Sequence, residues 1–142
     1  MNRSLRVRVY RETDLAALVD LWRSVFGEPA AHNNPSDIIV EKCRHQPEFV
    51  FVAELDGALV GSVLAGYDGH RGWLNLLAVH PEFRSRGFGR MLVDYAIERL
   101  RARGCRKVNL QIRSDNQDVV EFYQQLGFEV EARVSMGLKL TD

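Results

Sequence analysis

The chain has 142 residues, 46% of them apolar and 27% charged, with a formal net charge of zero. That is the length of one domain with a real core, and its neutral balance argues against a nucleic-acid partner or attraction to an anionic membrane. Its two cysteines, Cys43 and Cys105, make no CxxC pair, disulfide framework or zinc pattern, so both read as structural thiols and no metal is expected.

The opening stretch "MNRSLRVRVYRE" lacks the apolar core of a signal peptide, and no run reaches membrane-spanning length, so a cytoplasmic protein is expected. Leu5, Val7 and Val9 alternate with Arg6 and Arg8, which predicts a half-buried strand. Thr13 or Asp14 then caps a helix whose stripe is Leu15, Leu18, Val19, Trp22, Val25 and Phe26, ended by Gly27 and Pro29. A loop follows, with Glu28 to Asn34 as candidate wall of an acceptor site, and then a short helix from Pro35. "FVFVAELDGALVGSVLAGY" is a β-hairpin turning at Asp56-Gly57. The turn "DGHRG" leads into the strand "WLNLLAVH", which Pro81 closes.

From Gly87 to Arg103, Phe88, Met91, Leu92, Tyr95, Ala96 and Leu100 recur at helical spacing, and Gly104 stops the helix. "KVNLQI" is the next strand. "DNQDVVEFYQQLGF" is a capped helix whose Gly127 and Phe128 suit a Schellman end. "EVEARVSMGLKL" predicts one or two terminal strands. The unit from Trp73 to Ile112 is long enough for a right-handed parallel crossover, and the remaining strand pairs should be antiparallel. The expectation is a single α/β domain over residues 1–142, with a mixed, mostly antiparallel sheet of six to seven strands and helices on both faces.

The stretch "LAVHPEFRSRGFGRML" is the most informative. A helix start leaves its first N–H groups without intrahelical partners and carries partial positive charge. Gly87 and Gly89 remove Cβ atoms there, and Arg84, Arg86 and Arg90 surround it with charge. Two readings fit: a phosphate site built from backbone, or a tight turn with arginines on a solvated face. A Walker A loop is excluded because no Gly-Lys-Ser/Thr follows, and a dinucleotide fingerprint fails because Leu92 stands at the third glycine position.

The flanks narrow the choice. Arg84-x-x-Gly87-x-Gly89 directly after "AVHPEFR", together with Asn116, Phe122, Tyr123 and Leu126-Gly127-Phe128, resembles the GCN5-related N-acetyltransferase (GNAT) family, most closely its small bacterial YpeA-type members. The element order of nearly the whole chain agrees. The resemblance implies an acetyltransferase using acetyl-CoA as cosubstrate, with direct transfer to an amine through a tetrahedral intermediate. It implies a cleft where two parallel strands splay, the pantetheine arm on the backbone of Leu77, Ala78 and Val79, and the pyrophosphate on the N–H groups of Ser85, Arg86, Gly87, Phe88, Gly89 and Arg90. The acceptor is a small-molecule or protein amine, and a homodimer is compatible with the family.

Within that resemblance Tyr123 is the candidate acid for the departing thiolate, because a phenol stays protonated at neutral pH. Read by position alone, it is one of an apolar stripe with Val120 and Leu126, and the resemblance is what makes it a candidate. Asn116 lies two turns earlier on the same face and is a candidate to orient the cofactor. The N–H of Val79 is the candidate oxyanion donor. Many family members carry a glutamate on one of the splayed strands, where this chain has Asn75 and Gln111. A base elsewhere, a water relay or no enzymatic base all remain open, with His70 and Asp68 the nearest candidates. An acetyl-CoA sensor that has lost catalysis is the alternative from another class, and a nucleotide-binding domain a third.

Overall fold

The computed structural model describes residues 4–29 and 34–141. It divides into two compact units, residues 1–111 and 112–142. The first holds β1 (Leu5–Val9), α1 (Leu15–Phe26), α2 (Pro35–His45), β2 (Val50–Leu55), β3 (Ala58–Tyr67), β4 (Gly72–Val79), α3 (Phe88–Ala102) and β5 (Val108–Leu110). The second holds α4 (Gln117–Gln125).

The five strands form one sheet in the order β1-β2-β3-β4-β5. The first three pairings are antiparallel and β4–β5 is parallel. Asp56 and Gly57 both take the left-handed conformation that a two-residue hairpin turn requires, with φ of 52° and 83°. Adjacent residues of β3 face opposite sides of the sheet. Trp22 of α1 reaches Ser62, whereas a Cβ on neighbouring Gly61 would meet Leu92 of α3. Helices therefore cover both faces, α1 on one and α3 on the other. Leu18, Leu21, Trp22 and Ile39 pack on Val50, Val52, Leu64 and Ala78 to form the core on the α1 side.

Side chains fasten the elements. Lys42 Nζ donates to the Ala65 carbonyl at 2.5 Å, and Gln46 bonds both the N–H and the C=O of Tyr67, which pins the end of α2 to β3. Arg8 of β1 grips Asp14 with two bonds of 2.8 and 2.9 Å. Asp14 is thus committed to Arg8 and to the Arg11 N–H, and neither it nor Thr13 caps α1 through its side chain. Cys105 Sγ donates to the Lys107 carbonyl and lies 2.7 Å from where a Cβ on Gly72 would stand. Cys43 is half-buried on α2 against the α1 core.

Two strand expectations need correction. The sheet has five strands, where six to seven were expected. β5 covers only Val108–Leu110 of the longer predicted run, and residues 129–141 contain no strand. The apolar alternation of Val130, Val134, Met136, Leu138 and Leu140 is real, but these side chains are 75–90% exposed. Alternation makes a segment compatible with a sheet. A strand also needs a ladder partner, which periodicity does not supply.

Candidate functional site

The opening in the sheet begins at a defined residue. β5 pairs with β4 only at Gly72, Trp73 and Leu74, opposite Val108, Asn109 and Leu110. β4 runs on to Val79. The cause lies on its other edge. Ser62 pairs with Ala78 and Leu64 with Asn75, so β4 spends two residues, Leu76 and Leu77, against the single Val63 of β3. Leu76 accommodates the extra residue with a left-handed φ of 53°. This is a β-bulge, which bends its strand and adds local twist. The bend directly follows the last β5 pair.

Beyond the bulge the backbone alternates again. The N–H of His80 bonds the Val60 carbonyl of β3 at 2.8 Å. The peptide groups of successive strand residues point to opposite edges, so the N–H and C=O of Val79 turn to the edge that β5 has left. The Val79 carbonyl accepts from Arg84 Nε at 3.3 Å, which ties the end of β4 to the loop before α3.

That loop turns sharply. Ser85 and Gly87 are left-handed, with φ of 63° and 80°, a conformation costly for serine and free for glycine. Gly87 is the N-cap of α3, with no side-chain cap and no acidic residue in the first turn. The first intrahelical bond runs from the Met91 N–H to the Gly87 carbonyl. The N–H groups of Phe88, Gly89 and Arg90 therefore have no acceptor within the helix. No atom lies within 4 Å of a Cβ built on Gly87. Of the nearby cations, Arg86 lies over the Phe83 ring and Arg90 faces Asp94. An open, uncapped helix start at the end of a strand that has parted from its neighbour fits an extended amide chain ending in phosphates.

Asn75 and Gln111 each follow the last β4–β5 pair of their strands, so both stand at the mouth of the opening, and both are exposed. Neither side chain can take a proton from an ammonium ion. Asp68 and His70 lie at the other end of β4, about 20 Å of strand from the loop. Asp68 Oδ1 accepts from the N–H groups of His70 and Arg71, and Oδ2 accepts from the Trp73 indole. The Arg71 and His70 N–H groups hold the Asp68 carboxyl below its usual range. It bonds the turn's own backbone and Trp73, the local bonding that aspartate favours in turns. Of the proposed acceptor wall, residues 30–33 lie outside the described residues.

The second unit carries Asn116 and Tyr123. Asn116 Oδ1 accepts from the Val119 N–H and caps α4. At the other end, the Phe128 N–H bonds the Tyr123 carbonyl and the Gly127 N–H bonds that of Gln124. This is the Schellman pairing, and the Phe128 ring meets Tyr123 edge-on at 5.3 Å as its hydrophobic contact. Tyr123 is buried, and burial pushes its hydroxyl up to about 12. It is thus a neutral donor throughout the physiological range.

Two features escaped the sequence reading: the Leu76 bulge and the buried Ser62 behind it. A bulge has no reliable local signature. The serine did leave one, as a polar residue inside the apolar run "LVGSVLAG", where burial demands a bonded partner. Among the described residues, no group of three or more His, Cys, Asp or Glu side chains is placed to hold a metal ion, and no helix is long and apolar enough to cross a membrane.

Comparison with known proteins agrees with this geometry. The sequence model of the Acetyltransferase (GNAT) family matches residues 15–128. Acetyltransferase YE1169 of Yersinia enterocolitica is 40% identical over 136 residues, 96% of each chain. Among solved structures, Ard1 from Thermoplasma volcanium superposes with a TM-score of 0.80 at 25% identity, over 90% of this chain and 84% of that one. PaiA N-acetyltransferase from Thermoplasma acidophilum, in complex with coenzyme A, gives 0.82 at 18% identity over 92% and 93%, a likeness of fold. The uncapped start of α3, the departure of β4 from β5 and these matches lead to one conclusion: the chain belongs to the acetyltransferase (GNAT) family and is an acyltransferase.

Proposed function

We propose that the protein is an acetyl-CoA-dependent N-acetyltransferase that passes the acetyl group directly to an amine. The observation that carries this is the continuity of β4 with α3: one strand leaves its neighbour after Leu74 and ends at an open, acid-free helix start behind Gly87. Backbone along Leu77–Val79 suits the amides of a pantetheine arm, and the N–H groups of Ser85–Arg90 suit a pyrophosphate. The family match runs across both compact units, which supports a single acetyltransferase domain.

Bound acetyl-CoA supplies an acyl group activated as a thioester. The chain's own groups then have three tasks. The Val79 N–H donates to the carbonyl oxygen as the amine nitrogen bonds to carbon and negative charge gathers on oxygen. Tyr123 gives its proton to sulfur as the C–S bond breaks, since its raised hydroxyl pKa keeps that proton in place beforehand. His70 takes the amine proton through water, with Asp68 shaping the turn that presents it. Asn116 contributes by capping the helix that carries Tyr123.

The test is thermal. Ligand that binds only the native state stabilises it by about 2.7 kcal/mol at about one hundred times Kd. Acetyl-CoA should raise the melting temperature, whereas ATP and NAD should not. Gly89→Leu should abolish the shift and leave the protein folded, because leucine is a better helix former than glycine. Stabilisation by ATP or NAD without acetyl-CoA would remove the reading. A screen of amines for release of free CoA thiol then separates an enzyme from a CoA-binding regulatory module. Asn75 and Gln111 at the mouth favour that second reading, which sustained release with any amine excludes.

A further inference from the structure

Ser62 is the single polar residue in the buried class among the described residues, at 0% exposure. It sits in β3 opposite Ala78 and beside the bulge. Its hydroxyl makes two bonds. It accepts from Trp22 Nε1–H at 2.9 Å and donates to the Leu76 carbonyl at 3.3 Å. The order of these bonds is forced. An indole nitrogen can only donate, and a hydroxyl has one hydrogen. Trp22 therefore occupies an oxygen lone pair, and the serine hydrogen goes to the remaining acceptor, Leu76.

Leu76 is the left-handed residue of the bulge. A bulge interrupts the ladder, and the carbonyl of half-buried Leu76 is stabilised by a donor from elsewhere. The Ser62 hydroxyl is that donor, from the neighbouring strand. Trp22 is itself 3% exposed, and its N–H has a partner through the same oxygen. One hydroxyl thus links α1, β3 and the bulge of β4, three residues before the end of the strand that meets the ligand.

We propose that Ser62, oriented by Trp22, is a positioning residue for acyl transfer. It holds the Leu76 carbonyl and so fixes the direction in which Leu77–Val79 present their backbone to the thioester. The inference rests on the acetyl-CoA reading above. Ser62 touches neither cosubstrate nor acceptor and acts only through the backbone of β4. Without the hydroxyl, the bulge is held only by the ladder pairs on either side of it, Asn75 with Leu64 and Ala78 with Ser62, and the direction of the Val79 N–H is less tightly fixed.

The test follows the carbonyl ¹³C resonance of acetyl-CoA labelled at that carbon and bound to the protein, alongside hydrogen exchange of the amides around the end of β4. In the wild type the resonance should be displaced from its free position, because an N–H donor polarises the carbonyl. Ser62→Ala should return it most of the way to the free value and speed exchange at His80, whose N–H bonds the Val60 carbonyl, by about tenfold. Ser62→Thr keeps the hydroxyl and should retain the displaced resonance even if extra volume lowers the melting temperature. Trp22→Phe keeps an aromatic side chain but removes the indole N–H and some core volume, frees the hydroxyl to rotate and should give a smaller change in the same direction. Should Ser62→Ala fail to fold, Trp22→Phe and Ser62→Thr decide between them. A Ser62→Ala protein that melts earlier but keeps the wild-type resonance and exchange means that Ser62 only packs, and overturns the inference. An unchanged resonance in Trp22→Phe does the same where Ser62→Ala is unfolded. Wild-type protein that does not bind acetyl-CoA removes the cofactor reading, and this inference with it.

Discussion

Tyr123 combines a buried ring with a hydroxyl held protonated, and a single substitution separates the two. Tyr123→Phe keeps the edge-on packing with Phe122 and Phe128 and removes only the proton donor. If the hydroxyl serves the departing sulfur, turnover should fall by about 10²-fold or more with acetyl-CoA affinity nearly unchanged. Unchanged turnover would leave Tyr123 a core residue. His70→Gln should lower turnover on a good acceptor without changing CoA affinity. A wild-type rate would take His70 out of the mechanism and leave a water relay. At this scale legibility depended on sequence distance. The spacing Arg84-x-x-Gly87-x-Gly89 lies within one turn and the start of one helix, so its local consequences could be read directly. The bond from Ser62 to Leu76 spans two strands whose register depends on the bulge itself, and no local pattern announces it. For Asp68 the structure found partners that residue type alone had not specified, the N–H groups of its own turn.

Among the elements, the glycine-stopped ends of helices were legible, whereas the cap of α1 and the extent of the last strands were not. The stop of α3 at Gly104 and that of α4 at Gly127 both appear as Schellman pairings, because each depends on a few neighbouring residues. β5 and the expected terminal strands depend on partners far away in sequence, and there the alternation overreached. A fastening between elements also governs acid stability. Arg8 and Asp14 are nearly buried, with side chains 13% and 12% exposed. The bond from Arg8 is the main reason the Asp14 carboxyl lies below its ordinary range. A carboxyl depressed in the folded state contributes its full stability above its unfolded value of about 3.9, and loses it as pH falls through the lower folded value. Asp14→Ala should therefore cost about 2 kcal/mol at pH 7, since Arg8 loses its two-bond partner and keeps only the longer bond to Glu54 and that to the Val9 carbonyl. The gap in urea midpoint between this variant and the wild type should narrow once the pH drops below about 4. A gap that stays constant down to pH 2 would show that Asp14 contributes by packing.

For the molecule as a whole, fold class followed from the order of elements and the position of the crossover, and the ligand class from one loop seen against its flanks. The acceptor was not legible, because no stretch of the sequence carries a spacing that selects one amine over another. Measuring acceptors requires following the CoA thiol as it is set free, and the protein carries two thiols of its own. Their placement decides whether they interfere. Cys105 is 8% exposed, its sulfur closed in beneath Gly72. Cys43 is half-buried, and burial raises its pKa, so little of it is thiolate at neutral pH. Thiolate is the form that reacts with disulfide dyes. Native protein should consume such a dye slowly, and protein in denaturant should consume two equivalents at once. A continuous colour assay for CoA release can therefore be run on the unaltered chain, with no cysteine replaced and the core undisturbed.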